Sequence, residues 1–182
     1  MTSSLVSTGQ FLIEIVFNIF VFMVMLRFLL QWVKADFYNP MCQFLMKATN
    51  PFIIPLRRII PGYFGLDFSA IVLMYIAQVI SLLLMTLIAQ ASFMPVIFLI
   101  AVIQLILAFF NLFFYAILIR AVASWFNPNP YSPMFIVLMQ LTEPVLEPLR
   151  KRIPMFSGMD FSPLIALILL QVLIYFMSHL LM

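Results

Sequence analysis

The sequence predicts an all-helical membrane protein: four transmembrane helices in two parallel helical-hairpin repeats, with interfacial amphipathic helices on the cytoplasmic side. Three observations predict it. Of 182 residues, 66% are hydrophobic and only 8% are charged, against about 25% charged in an average soluble domain. Nine basic and six acidic side chains cannot clothe a soluble fold of this length. Four apolar runs are long enough to cross a bilayer, which takes roughly 20 residues each. Finally, the chain matches itself at a constant offset, 27 to 120 and 32 to 125, without a gap. This composition excludes a soluble domain, a disordered chain and a secreted disulfide scaffold.

The first run covers about 11–33 and carries Glu14, Asn18 and Arg27, with Trp32 at its end. Residues 1–10 hold no Lys or Arg. A signal peptide needs a basic region before its apolar stretch, so this run is expected to stay as an anchor. Arg27 lies about 10 Å along a helix from Lys34, within snorkelling reach of the surface. Arg27 and Arg120 are therefore expected to be interface anchors, like the aromatic rings of Trp32 and Trp125.

Next, Pro40 to Lys47 reads as a short amphipathic helix, with Met41, Phe44 and Leu45 on one side. Its copy runs from about Pro133 to Leu141. Such helices lie in the headgroup region, apolar face down. Two proline-punctuated stretches follow: Thr49, Asn50, Pro51, Pro55, Arg57 and Arg58 in the first half, Thr142, Glu143, Pro144, Pro148, Arg150 and Lys151 in the second. Proline fixes φ and removes a donor, so each stretch is expected to be broken or sharply turned. A Thr two residues before a Pro suggests a capped helix start. The paired basic residues would sit at anionic headgroups, which favour each charge by about 1 kcal/mol. Asp67 and Asp160 are placed to cap the returning helices and to favour their positive dipole ends.

The second run, about 69–91, has no charge and carries Gln78. A turn at 92–95 joins it to the third run, about 95–126, which carries Gln104, Asn111 and Arg120. The fourth, about 162–182, carries Gln171. All nine basic residues fall on one face, which the positive-inside rule makes cytoplasmic, with both termini on the other side. The units are 1–94 and 95–182. Two spans per unit set the copies the same way up, which predicts a pseudo-two-fold axis along the membrane normal. Glu14, Asn18, Gln78, Asn111 and Gln171 are the intramembrane polar candidates, for helix packing or for a polar path.

The offset pairs Thr49 with Thr142, Pro51 with Pro144, Pro55 with Pro148, Arg57 with Arg150 and Asp67 with Asp160. These motifs, with Gly65 to Ser69 and Gly158 to Ser162, resemble the YggT family, whose plastid and Gram-positive relatives are called YlmG. The resemblance covers nearly the whole chain in two YggT repeats. The second copy is the closer match; the first has Asn50 where the family usually has Glu, and Ala70 where it has Pro. The resemblance implies a multi-pass protein of the bacterial inner membrane. It also implies links to osmotic-stress tolerance and potassium uptake, or to assembly of membrane complexes.

The residues by themselves offer no enzyme. A lone Cys42 and a lone His179 make neither a disulfide nor a zinc site, and there is no C-x-x-C-H haem signature. No catalytic, metal or cofactor-binding residue is assigned and no cofactor is expected. Asp67, Asp160, Glu143 and Glu147 are explained by capping and by headgroup-facing positions. The expectation is a non-enzymatic scaffold or assembly factor in contact with anionic headgroups and with a membrane-protein partner or a second copy. The alternative is a channel or transport component in ion homeostasis. Direct nucleic-acid binding is not expected, because headgroups compete for the basic residues.

Overall fold

In a computed structural model of the chain, residues 2–60, 62, 66–92, 94–126, 129, 131–152 and 160–180 are described. They form six α-helices: α1 (Thr2–Trp32), α2 (Pro40–Arg57), α3 (Phe68–Ile88), α4 (Ile97–Trp125), α5 (Pro133–Arg152) and α6 (Ser162–His179). Of these, α1, α3, α4 and α6 are long and apolar enough to cross a membrane. They match the four expected runs to within three residues at each end that lies among the described residues, with one difference. Helix α1 starts at Thr2 and spans 31 residues, about 46 Å at 1.5 Å per residue and longer than a ~30 Å hydrocarbon core.

The outward faces of these helices are apolar. Leu12, Val16 and Ile19 of α1 are exposed, as are Leu164, Ile168 and Val172 of α6. A water-soluble protein does not carry such a surface, and the fold is that of a multi-pass membrane protein.

Each repeat pairs its own spans, α1 on α3 and α4 on α6. The repeats meet where α3 packs on α4 and, less extensively, where α1 touches α4 and α5 and α2 touches α5. Among the described residues α6 does not reach α1. A closed two-fold arrangement would need that contact to mirror the one between α3 and α4. The difference has a covalent cause: the short connection after α3 holds α4 beside it, and no connection ties α6 to α1. The core runs through Val24, Leu29 and Leu30 of α1, Ala70 and Met74 of α3, and Phe113 and Ile117 of α4.

Helices α2 and α5 overturn the expected short helix and broken stretch. Each is continuous through both of its prolines, Pro51 and Pro55 or Pro144 and Pro148. The reason is placement. Prolines four apart share one helix face, and all four are exposed. The i−4 carbonyls they leave without an N–H partner lie on that outer face, so the helix continues through them. The opposite face is anchored: Cys42, Leu45, Thr49 and Ile53 are buried on α2, and Val137, Leu141, Thr142 and Leu146 on α5. Ile53 and Leu146, equivalent under the duplication, are both fully buried. The expected apolar side of α2 divides, with Leu45 turned inward and Phe44 turned outward.

The start of α2 and the end of α1 follow ordinary capping rules. Asn39 caps α2, its Oδ1 accepting from the N–H of Met41 at 2.9 Å, with Pro40 at the first helical position. Asn39 also donates to the carbonyl of Pro133 at 2.7 Å, which joins the start of α2 to the start of α5. Two residues beyond the end of α1, Lys34 has φ 54°. The N–H of Ala35 then reaches back to the Leu30 carbonyl at 2.9 Å. That is a Schellman closure with lysine at a position glycine usually fills.

Candidate functional site

The duplicated polar residues gather where α2 lies against α1 and α3, and where α5 lies against α4 and α6. In the first repeat Arg27 turns inward rather than snorkelling. It is 7% exposed, and its Nη1 donates to Thr49 Oγ1 at 2.6 Å. Thr49 in turn donates to the Leu45 carbonyl at 2.6 Å. This overturns the expected helix-start role for Thr49. It sits mid-helix, where its hydroxyl bonds back by one turn and accepts a charged donor. A few ångströms of snorkelling would strip a buried guanidinium of this partner, and desolvated charge without a partner is costly.

Arg57, at the end of α2, pairs with Asp67 just ahead of α3 through both Nε, at 3.0 Å, and Nη2. The Ser69 hydroxyl donates to the other carboxylate oxygen. Asp67 is 2% exposed and makes no side-chain capping bond to α3, so its role is to tie α2 to α3. Burial pushes the Asp67 carboxyl up. The hydrogen bonds from Arg57 and Ser69 and the positive charges of Arg57 and Arg27 outweigh that, and hold it below the ordinary carboxylate value.

The second repeat reproduces the plan with one addition. Arg120 Nη1 donates to Thr142 Oγ1 at 2.7 Å, and Thr142 donates to the Leu138 carbonyl at 2.8 Å. Arg150 pairs with Asp160 at 3.0 Å. Asp160 accepts from the Ser162 hydroxyl and, at 2.9 Å, from the Ser162 N–H at the first position of α6; the N-cap itself is Phe161, so Asp160 holds the helix start from one residue outside it. The addition is Glu143. Its Oε2 lies 2.8 Å from Arg120 Nη1 and its Oε1 2.9 Å from Arg150 Nη1. One carboxylate thus bridges two guanidiniums. Burial pushes Asp160 up, and the bonds from Ser162 and Arg150 bring it below its ordinary value. Burial works against the Arg150 charge, and Asp160 and Glu143 more than offset it.

In the first repeat Asn50 stands at the position of Glu143, half-buried and neutral. No carboxylate lies within ion-pair distance of Arg27 among the described residues.

The remaining candidates are dispersed. Trp32 and Trp125 end α1 and α4 and are both exposed. Arg58 is exposed. Lys151 pairs with Glu147 at 2.7 Å on the surface of α5, where such a pair adds little. Cys42 is buried, and burial followed by the Asp36 charge raises its thiol pKa, which works against thiolate formation. Among the described residues no three of His, Cys, Asp and Glu come together.

Deeper in the bundle, Glu14, Asn18, Gln78, Ser81, Gln104 and Asn111 line a cleft of about 600 Å³ between α1, α3 and α4. Gln78 Nε2 donates to Gln104 Oε1 at 2.6 Å across α3 and α4. Asn111 is used locally, donating to the Leu107 carbonyl at 2.9 Å. Gln171, the copy of Gln78, is exposed on α6 and takes no part. The duplication is thus kept at the basic end; in the cleft it survives in Asn18 and Asn111 and is lost for Gln78 and Gln171.

Sequence reasoning missed Asn39, Ser69 and Ser162. A signal existed for each: Asn before Pro is a helix-start pattern, and Ser two residues after Asp offers a hydroxyl to its carboxylate.

Fold and site define a class: a multi-pass helical membrane protein of two homologous halves, each with a span–helix–span unit locked by an Arg–Thr bond and an Arg–Asp pair. Residues 6–88 and 99–181 each match the CCB3/YggT family model, and the chain belongs to that family. It is 36% identical over 167 residues to the Escherichia coli K12 protein YggT, covering 92% of this chain and 87% of that one. It is 41% identical over 165 residues to a Vibrio alginolyticus protein encoded in the proC 3′ region, covering 89% of each. It is also 36% identical over 79 residues to the ycf19 protein of Cyanidium caldarium, which covers 43% of this chain and 87% of that one. A relative of that length is the size of a single repeat. No solved structure matches the chain.

Proposed function

We propose that this protein is a non-enzymatic scaffold or assembly factor of a bacterial inner membrane, with both termini periplasmic and the basic end cytoplasmic. In this reading α2 and α5 lie along the membrane surface and hold a membrane-protein partner or a second copy. The observation that carries it is the inward use of charge at the basic end. Arg27 and Arg120 are spent on Thr49 and Thr142, which locks α2 and α5 into fixed positions. Their outer faces still present Phe44, Phe52 and Ile54, or Met134 and Met139, all exposed. Rigidly held apolar side chains suit recognition of a partner, since little ordering is lost on binding. A part in osmotic-stress tolerance would then follow from the complex held together. Photo-crosslinkers at Phe44 and Met134 in cells should give one adduct of defined mass common to both positions. Lipid adducts alone would sink the proposal.

A second reading, a transport component in ion homeostasis, is favoured by the polar cleft of α1, α3 and α4. It makes a different demand. Proteoliposomes of the purified chain would pass potassium or sodium, and Asn18→Leu with Asn111→Leu would stop the flux while the fold survives. The scaffold reading expects no flux from either protein.

A further inference from the structure

We infer that the first repeat holds a phosphate-bearing anion between Arg27 and Arg57, at the place the second repeat fills with its own Glu143. The inference is independent of the scaffold reading. The two halves of one chain provide the comparison. In the second half two guanidiniums, Arg120 and Arg150, are matched by two carboxylates, Glu143 and Asp160. In the first half two guanidiniums, Arg27 and Arg57, have one carboxylate, Asp67, and it pairs with Arg57. The charges of both arginines bear on Asp67, so the three groups form one electrostatic cluster with a surplus positive charge. Arg58, exposed beside it, adds to that surplus.

The surplus sits on a buried group. Arg27 is 7% exposed, and a desolvated guanidinium favours an oxyanion partner strongly. The second repeat shows what fits: an oxyanion with one oxygen on each guanidinium, at 2.8 and 2.9 Å. Asn50 replaces that acceptor with an amide one methylene shorter than glutamate, which can donate as well as accept. By that equivalence Arg27, Arg57 and Asn50, all able to donate, stand in the first repeat at the positions of Arg120, Arg150 and Glu143. The seat is also open. The Arg57 side chain is 44% exposed, and the Glu143 side chain, which marks the equivalent seat, is 36% exposed. A phosphate presents several oxygens to such a fork and satisfies it as a carboxylate does. The same chemistry is carried by an anionic lipid headgroup and by free phosphate, and the test separates the two.

The test uses the full chain purified in detergent. Native mass spectrometry counts retained phosphatidylglycerol, with phosphatidylcholine as the zwitterionic control, and equilibrium dialysis measures inorganic phosphate. The wild type should retain one phosphate-bearing ligand per chain. Asn50→Glu, which copies the second repeat, should weaken binding by about tenfold or more. Asn50→Gln should keep it, and Glu143→Gln should add a second ligand. Phosphatidylglycerol retained and not displaced by millimolar phosphate assigns a lipid headgroup; saturable binding of inorganic phosphate assigns a soluble species. Unchanged binding in Asn50→Glu, or no binding of either probe by the folded wild type, overturns the inference. If Asn50→Glu does not fold, Glu143→Gln decides, and failure to gain a second ligand overturns it.

Discussion

Arg27 donates to Thr49 across 22 residues of sequence at 2.6 Å, and Arg120 repeats that bond to Thr142 at 2.7 Å. A charged donor on a transmembrane span thus positions the helix that follows it, in both halves. The two bonds differ in what else their arginine has. Arg120 also pairs with Glu143; Arg27 pairs with no carboxylate among the described residues.

The first prediction follows from that difference. Thr49→Val keeps the shape and removes the acceptor, and should destabilise by about 1.5–3 kcal/mol, the usual range for a bond to a charged group. Thr142→Val should cost less than half as much, because Glu143 continues to hold Arg120. Denaturant unfolding of the two variants in detergent tests the order. Equal losses would show that Glu143 does not support Arg120.

The second concerns pH. Asp67 is held below its ordinary value of 3.8 in the folded chain. A carboxyl with a depressed folded pKa contributes stability that is present above its unfolded value and is lost as pH falls through the folded one. The melting temperature should therefore stay level from about pH 7 to 5 and fall below about pH 4. Asp160 shifts the same way and adds to the fall. Asp67→Asn should lower stability at pH 7 by about 1.5–3 kcal/mol and flatten the acid limb. A variant whose acid limb matches the wild type would remove Asp67 from this account.

These clusters were only half legible in the sequence. The spans were, because lipid demands some twenty apolar residues in a row and little else imitates that. The duplication was, because Arg, Trp and Pro do not realign by chance. The inward turn of Arg27 was not. Distance along α1 placed its guanidinium within reach of water, and only the fold-back of an unbroken α2 brings Thr49 within 2.6 Å. That fold-back was hidden by Pro51 and Pro55. Proline reads as a break until it is known which face carries it. Asp67 read as a helix cap because local sequence shows the helix ahead of it and not Arg57, ten residues back.

The third prediction tests the contact between Gln78 and Gln104, which joins the two repeats at 2.6 Å. Interhelical bonds of this kind are worth about 0.6–1.7 kcal/mol in membrane proteins. Either Gln→Leu change alone strands the other amide in a bundle interior, so each should destabilise. The double variant should lose less than the sum of the two, with a coupling of about 1 kcal/mol. Strict additivity would mean that the two amides do not depend on each other.

The fourth prediction runs toward greater stability. Lys34 closes α1 with φ 54°, and Gln90 follows α3 with φ 50°. Only glycine adopts that region without a steric cost, which for other residues is about 1 kcal/mol. The N–H groups beyond these positions bond back to Leu30 and Thr86, so the geometry is held in place by the helix ends and would persist in a glycine variant. Lys34→Gly and Gln90→Gly should each stabilise the chain, by up to about 1 kcal/mol, less the entropy that glycine adds to the unfolded chain. The two should be additive, because they sit at opposite ends of the α1–α3 pair and share no partner. Loss of stability in Lys34→Gly alone would show that its ammonium holds the end of α1 by charge, where a cation near a helix C-terminus is favoured. In that case Lys34→Arg, which keeps the charge, would match the wild type.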